Sequence, residues 1–178
     1  MSKLHACCGP IRLEGWINLD KGREFDTDIC ADLLQTHFDE NTFDAIYCCH
    51  GLEHFAYPVD AVELLNRFYR WLKPNGILRV AVPDLEIAVK AFVTSGDLSF
   101  LYSKDFKAYY HKDTRCERLN FFVKAWEHQM CFDFETLSLL FADAGFKNIQ
   151  KKNPNESLIE NFTHDRFISE SLYIEAIK

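Results

Sequence analysis

The stretch "FDAIYCCHGLEHFAYPVDAVELLNRFYRWLKPNGILRVAVPD", Phe43 to Asp84, decides the fold. Its first part, "FDAIYCCH", is an apolar run bounded by "DENT" and Gly51, as a buried strand requires. The period then changes. Pro58 suits a first helical turn, and Val62, Leu65, Tyr69 and Leu72 recur at helical spacing. A helix is predicted here, stopped by Pro74 and Gly76. "ILRVAVPD", Ile77 to Asp84, reads as another buried strand, ended by Pro83. Strand, helix and strand in succession form the unit of a parallel sheet.

The same alternation continues outward. Upstream, "KLHACC" (Lys3–Cys8), "GWINLD" (Gly15–Asp20) and the weaker "DICADL" (Asp28–Leu33) read as strands. Downstream, "LEIAVKAFV" starts a helix. "DFETLSLLFADAGF" reads as a helix with Asp133 as N-cap and Gly145 at its C-terminal end, turning Leu137, Leu140 and Phe141 inward. "FKNIQKK" and "ESLYIEAIK" read as strands. Only the polar "NPNESLIENFTHDR" lies between them, so they are expected as an antiparallel pair at one edge. The fold class is therefore α/β with a mostly parallel sheet. Residues 95–131 are rich in aromatics and are expected to form one or two short covering helices.

A chain of 178 residues suits one domain, 1–178. A net charge of −7 disfavours a nucleic acid or an anionic membrane as partner, since both call for a basic face. No apolar run approaches a membrane span, and "MSKLHACCG" lacks the apolar stretch of a signal peptide. The expectation is a soluble cytoplasmic protein whose seven cysteines stay reduced. Its expected partner is a small molecule, with a homodimer left open.

Ligands of open parallel sheets bind beyond the carboxyl ends of the strands. The residues at those ends are Cys7, Cys8, Gly9 and Pro10, then Asp20, then Asp32 and Leu33, then His50, Gly51, Leu52, Glu53 and His54. A turn-forming glycine followed by acids at two successive strand ends suits a nucleoside. The first acid can accept from a ribose diol and the next from an adenine amino group.

At these residues the chain resembles the class I S-adenosylmethionine-dependent methyltransferases, in particular the small predicted methyltransferases of that class. The resemblance runs from "LHACCGP…GWINLD" through "FDAIYCCHGLEHF…LKPNGILRVAVPD" to "LLFADAGFKNI" and "ESLYIEAIK". It implies a Rossmann-like seven-stranded sheet with an antiparallel last strand beside the sixth, and S-adenosylmethionine as cofactor. It further implies that Ala6, Cys7, Cys8 and Gly9 form the donor loop and that Asp20 holds the ribose. Asp32 and Leu33 would flank the adenine, and His50, Gly51 and Leu52 would line the methionine side. The acceptor expected is a small molecule or sugar.

The chain departs from the family pattern at two points. Cys7 stands where the donor loop usually has its first glycine, and only "GPIRLEG" joins the first two strands, so the first helix is shortened or missing. These departures motivate an alternative reading, a methyltransferase fold serving as a non-catalytic binding or regulatory module. A nicotinamide-dependent oxidoreductase is disfavoured by the antiparallel end and the lack of G-x-G-x-x-G.

His54 can accept a proton, its ordinary pKa lying near neutrality, and His128 lies where the covering segment returns to the site. Both are the catalytic candidates. Tyr109, Tyr110 and His111 are candidates for acceptor contact or aromatic packing. Glu53 is expected to serve first-turn electrostatics. The adjacent pairs Cys7–Cys8 and Cys48–Cys49 lack C-x2-C spacing, and alternation puts at most one of each toward the cleft. Together with His5, His50 and His54 they invite a zinc reading, but no metal site is expected.

Overall fold

The computed structural model describes residues 2–94, 98 and 111–178. In chain order these form β1 (Lys3–Ala6), β2 (Ile17–Asp20), β3 (Ile29–Cys30), β4 (Phe43–Cys49), a 3-10 turn (Leu52–His54), α1 (Val59–Trp71) and β5 (Leu72–Pro83). Then come α2 (Leu85–Thr94), α3 (Arg115–Lys124), a second 3-10 turn (Ala125–Glu127), α4 (Phe134–Asp143), β6 (Lys147–Lys152) and β7 (Ser171–Ile177). The seven strands make one sheet in the order β3-β2-β1-β4-β5-β7-β6. The first five run parallel, and β7 enters antiparallel between β5 and β6. This is the expected Rossmann-like topology.

Alternation along β4 divides the interior into two layers. Ile46 and Cys48 face one layer with Phe68, Leu137 and Phe141 from α1 and α4. Ala45, Tyr47 and Cys49 face the other with Trp16, Phe162 and Tyr173. The buried stripe of α1 is Ala61, Leu64, Leu65, Phe68 and Trp71. Val62 and Tyr69 are only half-buried, so the predicted face was rotated. The helix also ends earlier than expected. Leu72 is already extended (ψ 142°) and begins β5. Lys73 precedes a proline, which disfavours the helical region. Pro74, Asn75 and Gly76 are taken up where the β4–β5 register jumps from Phe43↔Leu72 to Ala45↔Ile77.

No helix lies between β1 and β2. Strand β1 stops at Ala6 because Cys7 adopts a left-handed φ of 52°. The connection is held instead by Asn18, fully buried on β2. Its Oδ1 accepts from Leu13 N at 2.8 Å, and its Nδ2 donates to Leu13 O and Trp16 O at 3.0 Å. One side chain thus supplies the partners that a helix would have supplied to itself.

The polar connection between β6 and β7 is anchored by Arg79 of β5. Its Nε donates to Asp165 at 2.9 Å and its Nη1 to Glu175 at 2.8 Å. Nη1 and Nη2 also reach the carbonyls of Glu156 and Asn153. This brings Phe167 and Glu170 beside the carboxyl end of β4. Asp133 caps α4 by accepting from Thr136 N at 2.8 Å, and Gly145 (φ +100°) ends it, as expected. Of the covering segment, 95–97 and 99–110 fall outside the described residues.

Candidate active site

A cavity of about 530 Å³ opens at the carboxyl ends of β1, β2 and β4. Its walls include Cys7, Gly9, Asp20, Asp32, Leu33, His50 and Gly51. The loop after β1 is tied directly to β2. Cys8 N donates to Leu19 O at 3.1 Å, and Gly9 N donates to Asp20 Oδ2 at 2.8 Å. Asp20 Oδ1 accepts from Gly22 N at 2.8 Å, and Asp32 Oδ1 from Leu34 N at 2.8 Å. A carboxylate offers about four lone-pair sites. Both acids therefore keep acceptor capacity toward the cavity.

Cys7 keeps the left-handed backbone that a glycine would adopt there. Its side chain turns toward β4 and packs its thiol beside that of Cys48. That contact, then burial, raises the Cys48 pKa well above its ordinary value. Room for the thiol comes from Gly51. A Cβ on Gly51 would lie 2.6 Å from Cys7 Cβ, 2.8 Å from its Sγ and 2.9 Å from Cys48 Sγ. The glycine missing at position 7 is thus matched by one at 51. Cys49 faces the opposite layer.

A second cavity, of about 300 Å³, is lined by His50, Glu53, His54, His128, Trp126, Phe167 and Glu170 among others. His50 and His54 belong to both walls. His54 and His128 stand edge to face with ring centroids 5.0 Å apart. The Glu53 carbonyl accepts from Gln129 N at 2.8 Å and Met130 N at 3.4 Å, which fixes the segment bearing His128 against the turn bearing His54. Burial lowers the pKa of His50 to about 3 and of His128 to about 4, and that of His54 as well. All three imidazoles are uncharged near neutral pH. Burial raises Glu53 to about 8, and neither carboxylate oxygen has a hydrogen-bond partner among the described residues. First-turn electrostatics does not describe such a group.

The structure gathers Cys7, Gly9, Asp20, Asp32, Leu33, His50 and Gly51 around the first cavity, and His54 and His128 around the second. Ala6, Cys8 and Leu52 are buried behind the walls. His111 is exposed and lines neither cavity, and Tyr109 and Tyr110 lie outside the described residues. Sequence reasoning did not single out Lys21, Phe25, Gln129, Phe167 or Glu170. Apart from Glu170, the first residue of the stretch read as the last strand, they come from irregular segments whose residues carry no period.

A family model described as a methyltransferase domain matches residues 6–151. An uncharacterized protein of Methanocaldococcus jannaschii is 39% identical over 62 residues, 35% of this chain and 26% of that protein. Phosphoethanolamine N-methyltransferase 3 of Arabidopsis thaliana is 38% identical over 72 residues, 40% of this chain and 13% of that protein. The matched stretches are a minor part of either relative. Among solved structures, a SAM-dependent methyltransferase of Archaeoglobus fulgidus superposes with TM-score 0.61 at 13% identity, covering 99% of this chain and 86% of the other. Phosphoethanolamine N-methyltransferase 2 of Haemonchus contortus, in complex with S-adenosyl-L-methionine, superposes with TM-score 0.55 at 16% identity, covering 99% and 48%. At such identities the likeness is one of fold. Among the described residues, no helix is long and apolar enough to cross a membrane.

Proposed function

The chain belongs to the methyltransferase-domain family, and from that premise we propose that it transfers a methyl group from S-adenosylmethionine to a small-molecule or sugar-type acceptor. The observation that carries this reading is the pair of cavities that share His50 and His54 as a wall. The first suits the donor in size and chemistry. Its volume of about 530 Å³ lies within the usual range of small-ligand sites. Asp20 has lone pairs for ribose hydroxyls, Asp32 and Leu33 flank the adenine, and Cys7 to Gly9 with His50 and Gly51 line the methionine side.

The bound donor would supply an activated methyl sulfonium, which leaves the protein to align and to exclude water. His54 and His128 face the acceptor side as uncharged imidazoles with lone pairs to offer. Phe122, Trp126 and His128, from the segment 95–131 expected to cover the site, line that side. Two of the similar proteins are phosphoethanolamine N-methyltransferases, which supports an acceptor of small size.

The test is thermal unfolding with S-adenosylmethionine or its demethylated product. A ligand at about 100 times its Kd stabilises by about 2.7 kcal/mol. Asp20→Ala should abolish the shift. An unchanged melting temperature at millimolar ligand would sink the donor assignment, and binding without turnover on any acceptor would favour a non-catalytic module.

A further inference from the structure

We propose that Glu53, His54 and His128 hold a divalent transition-metal ion, with Nδ1 of His50 turned toward the same point. One donor atom from each of the three lies within 4.8 Å of the others. Metal–nitrogen and metal–oxygen bonds of about 2.0–2.2 Å draw such atoms together through small side-chain rotations.

The protons around this point can be counted. His128 Nδ1 lies 3.1 Å from the Phe122 carbonyl. A carbonyl only accepts, so Nδ1 carries the hydrogen and Nε2 keeps its lone pair. Ser171 Oγ donates its hydrogen to Phe167 O at 2.8 Å, so His50 Nε2, 2.7 Å from that oxygen, must be the donor to it. His50 Nδ1 is then bare, and it faces Glu53 Oε1 at 3.7 Å. The carboxylate is fully buried, and neither of its oxygens has a hydrogen-bond partner among the described residues. Apart from the one proton that the buried acid holds when no metal is bound, acceptors meet acceptors. Buried carboxylates are ordinarily paired or bound to metal, and a cation at this point satisfies all of them together.

The outer contacts also have the form of a metal site. A ligating histidine almost always donates its second ring N–H to a carbonyl or carboxylate, which sets the tautomer. His128 does so with Phe122 O, and the backbone bonds from Gln129 and Met130 to Glu53 O keep the two ligand-bearing segments in register. Two imidazoles and one carboxylate suit zinc, iron, cobalt or manganese, whereas calcium calls for an all-oxygen set. Three protein ligands with an open side are the arrangement of catalytic sites. The open side here is the 300 Å³ cavity, where an acceptor oxygen or phosphate would complete the coordination. That last clause rests on the proposed methyltransferase function. The histidines then act on the acceptor through the ion rather than as free bases.

The experiment is a titration of the chelator-treated full chain with Co²⁺, followed by visible absorption, with no methyl donor present. One ion per chain is expected, with ligand-field bands and no thiolate charge-transfer band. Glu53→Gln and His128→Ala should each weaken binding by at least about a hundredfold, since loss of an outer-shell partner alone costs about 10–100-fold. His128 is partly exposed, so its variant keeps the test valid should Glu53→Gln not fold. Absence of one-to-one binding overturns the site. So does binding that carries thiolate bands or is untouched by His128→Ala, since the ion would then sit on the cysteines. A chain that binds Co²⁺ but not S-adenosylmethionine overturns the proposed function alone, and the reverse overturns the metal site alone.

Discussion

The side chains of Arg79 on β5, Glu175 on β7 and Asp165 in the β6–β7 connection are fully buried and share hydrogen bonds among themselves and with the 153–158 backbone. At the carboxyl end of β4, Glu53 is buried as deeply, yet three imidazoles face it and no donor reaches it among the described residues. The backbone differs as well. Arg79 sits in plain strand, whereas Cys7 and His50 hold left-handed φ values of 52° and 50°. Such conformations cost on the order of 1–2 kcal/mol each in a residue with a Cβ. The first region spends its polar groups on holding the chain together. The second accumulates unfavourable contacts at one point beside two cavities, which is where a ligand can relieve them.

The largest effect should come from the satisfied cluster. Arg79→Met leaves Asp165 and Glu175 buried without a cation and should cost about 3–5 kcal/mol, read from the urea midpoint. A loss below about 1 kcal/mol would mean that the cluster is not the anchor of the β6–β7 connection. Next in size is Gly51→Ala. Its Cβ would meet Cys7 and Cys48 at 2.6–2.9 Å, and overpacking of this kind costs about 1–3 kcal/mol. Adding Cys7→Gly should recover most of that loss. Additive losses in the double variant would break the claim that Gly51 makes room for the Cys7 thiol.

Glu53 separates the two regions by pH. Burial lifts its pKa from 4.5 to about 8, so the folded chain holds a proton that the unfolded chain releases. Its contribution is full below pH 4.5 and is lost as the pH rises through 8. The lowered histidines act in the opposite sense, but only below their unfolded value of 6.5. Metal-free protein should therefore lose about 1–2 kcal/mol of stability between about pH 6.5 and 8. Glu53→Gln should flatten that slope. An equal slope in wild type and variant would show that Glu53 does not set it.

Much of this was legible in the chain and some was not, for identifiable reasons. The Phe43–Asp84 block shows each element's own period, so β4, α1 and β5 could be read in order. The end of α1 could not, because Pro74 and Gly76 look like helix stops although Leu72 is already strand. Asn18, which stands in for the first helix, is a polar residue inside a strand, and no pattern marks it. His54 and His128 could each be named as candidates because each abuts a strand-end or helix-start signal. Glu53 and Ser171 could not. Whether an acid finds a donor depends on which proton its neighbours have already given away, and that is a property of the packed structure.

Ser171→Ala should have the smallest effect and isolates this proton accounting. It removes the acceptor for His50 Nε2 and one bond to Phe167 O, for a loss of about 1 kcal/mol. With no partner at Nε2, the imidazole can carry its hydrogen on Nδ1 and donate to Glu53 Oε1, 3.7 Å away in the wild type. Glu53 would then gain a partner and its pKa would fall, so the stability loss toward pH 8 should shrink even though the acid itself is untouched. Nitrogen-15 shifts of His50 should move from the Nε2–H to the Nδ1–H tautomer. If the tautomer stays put and the slope is unchanged, Ser171 does not set which face of His50 meets Glu53, and the orphaned carboxylate needs another cause.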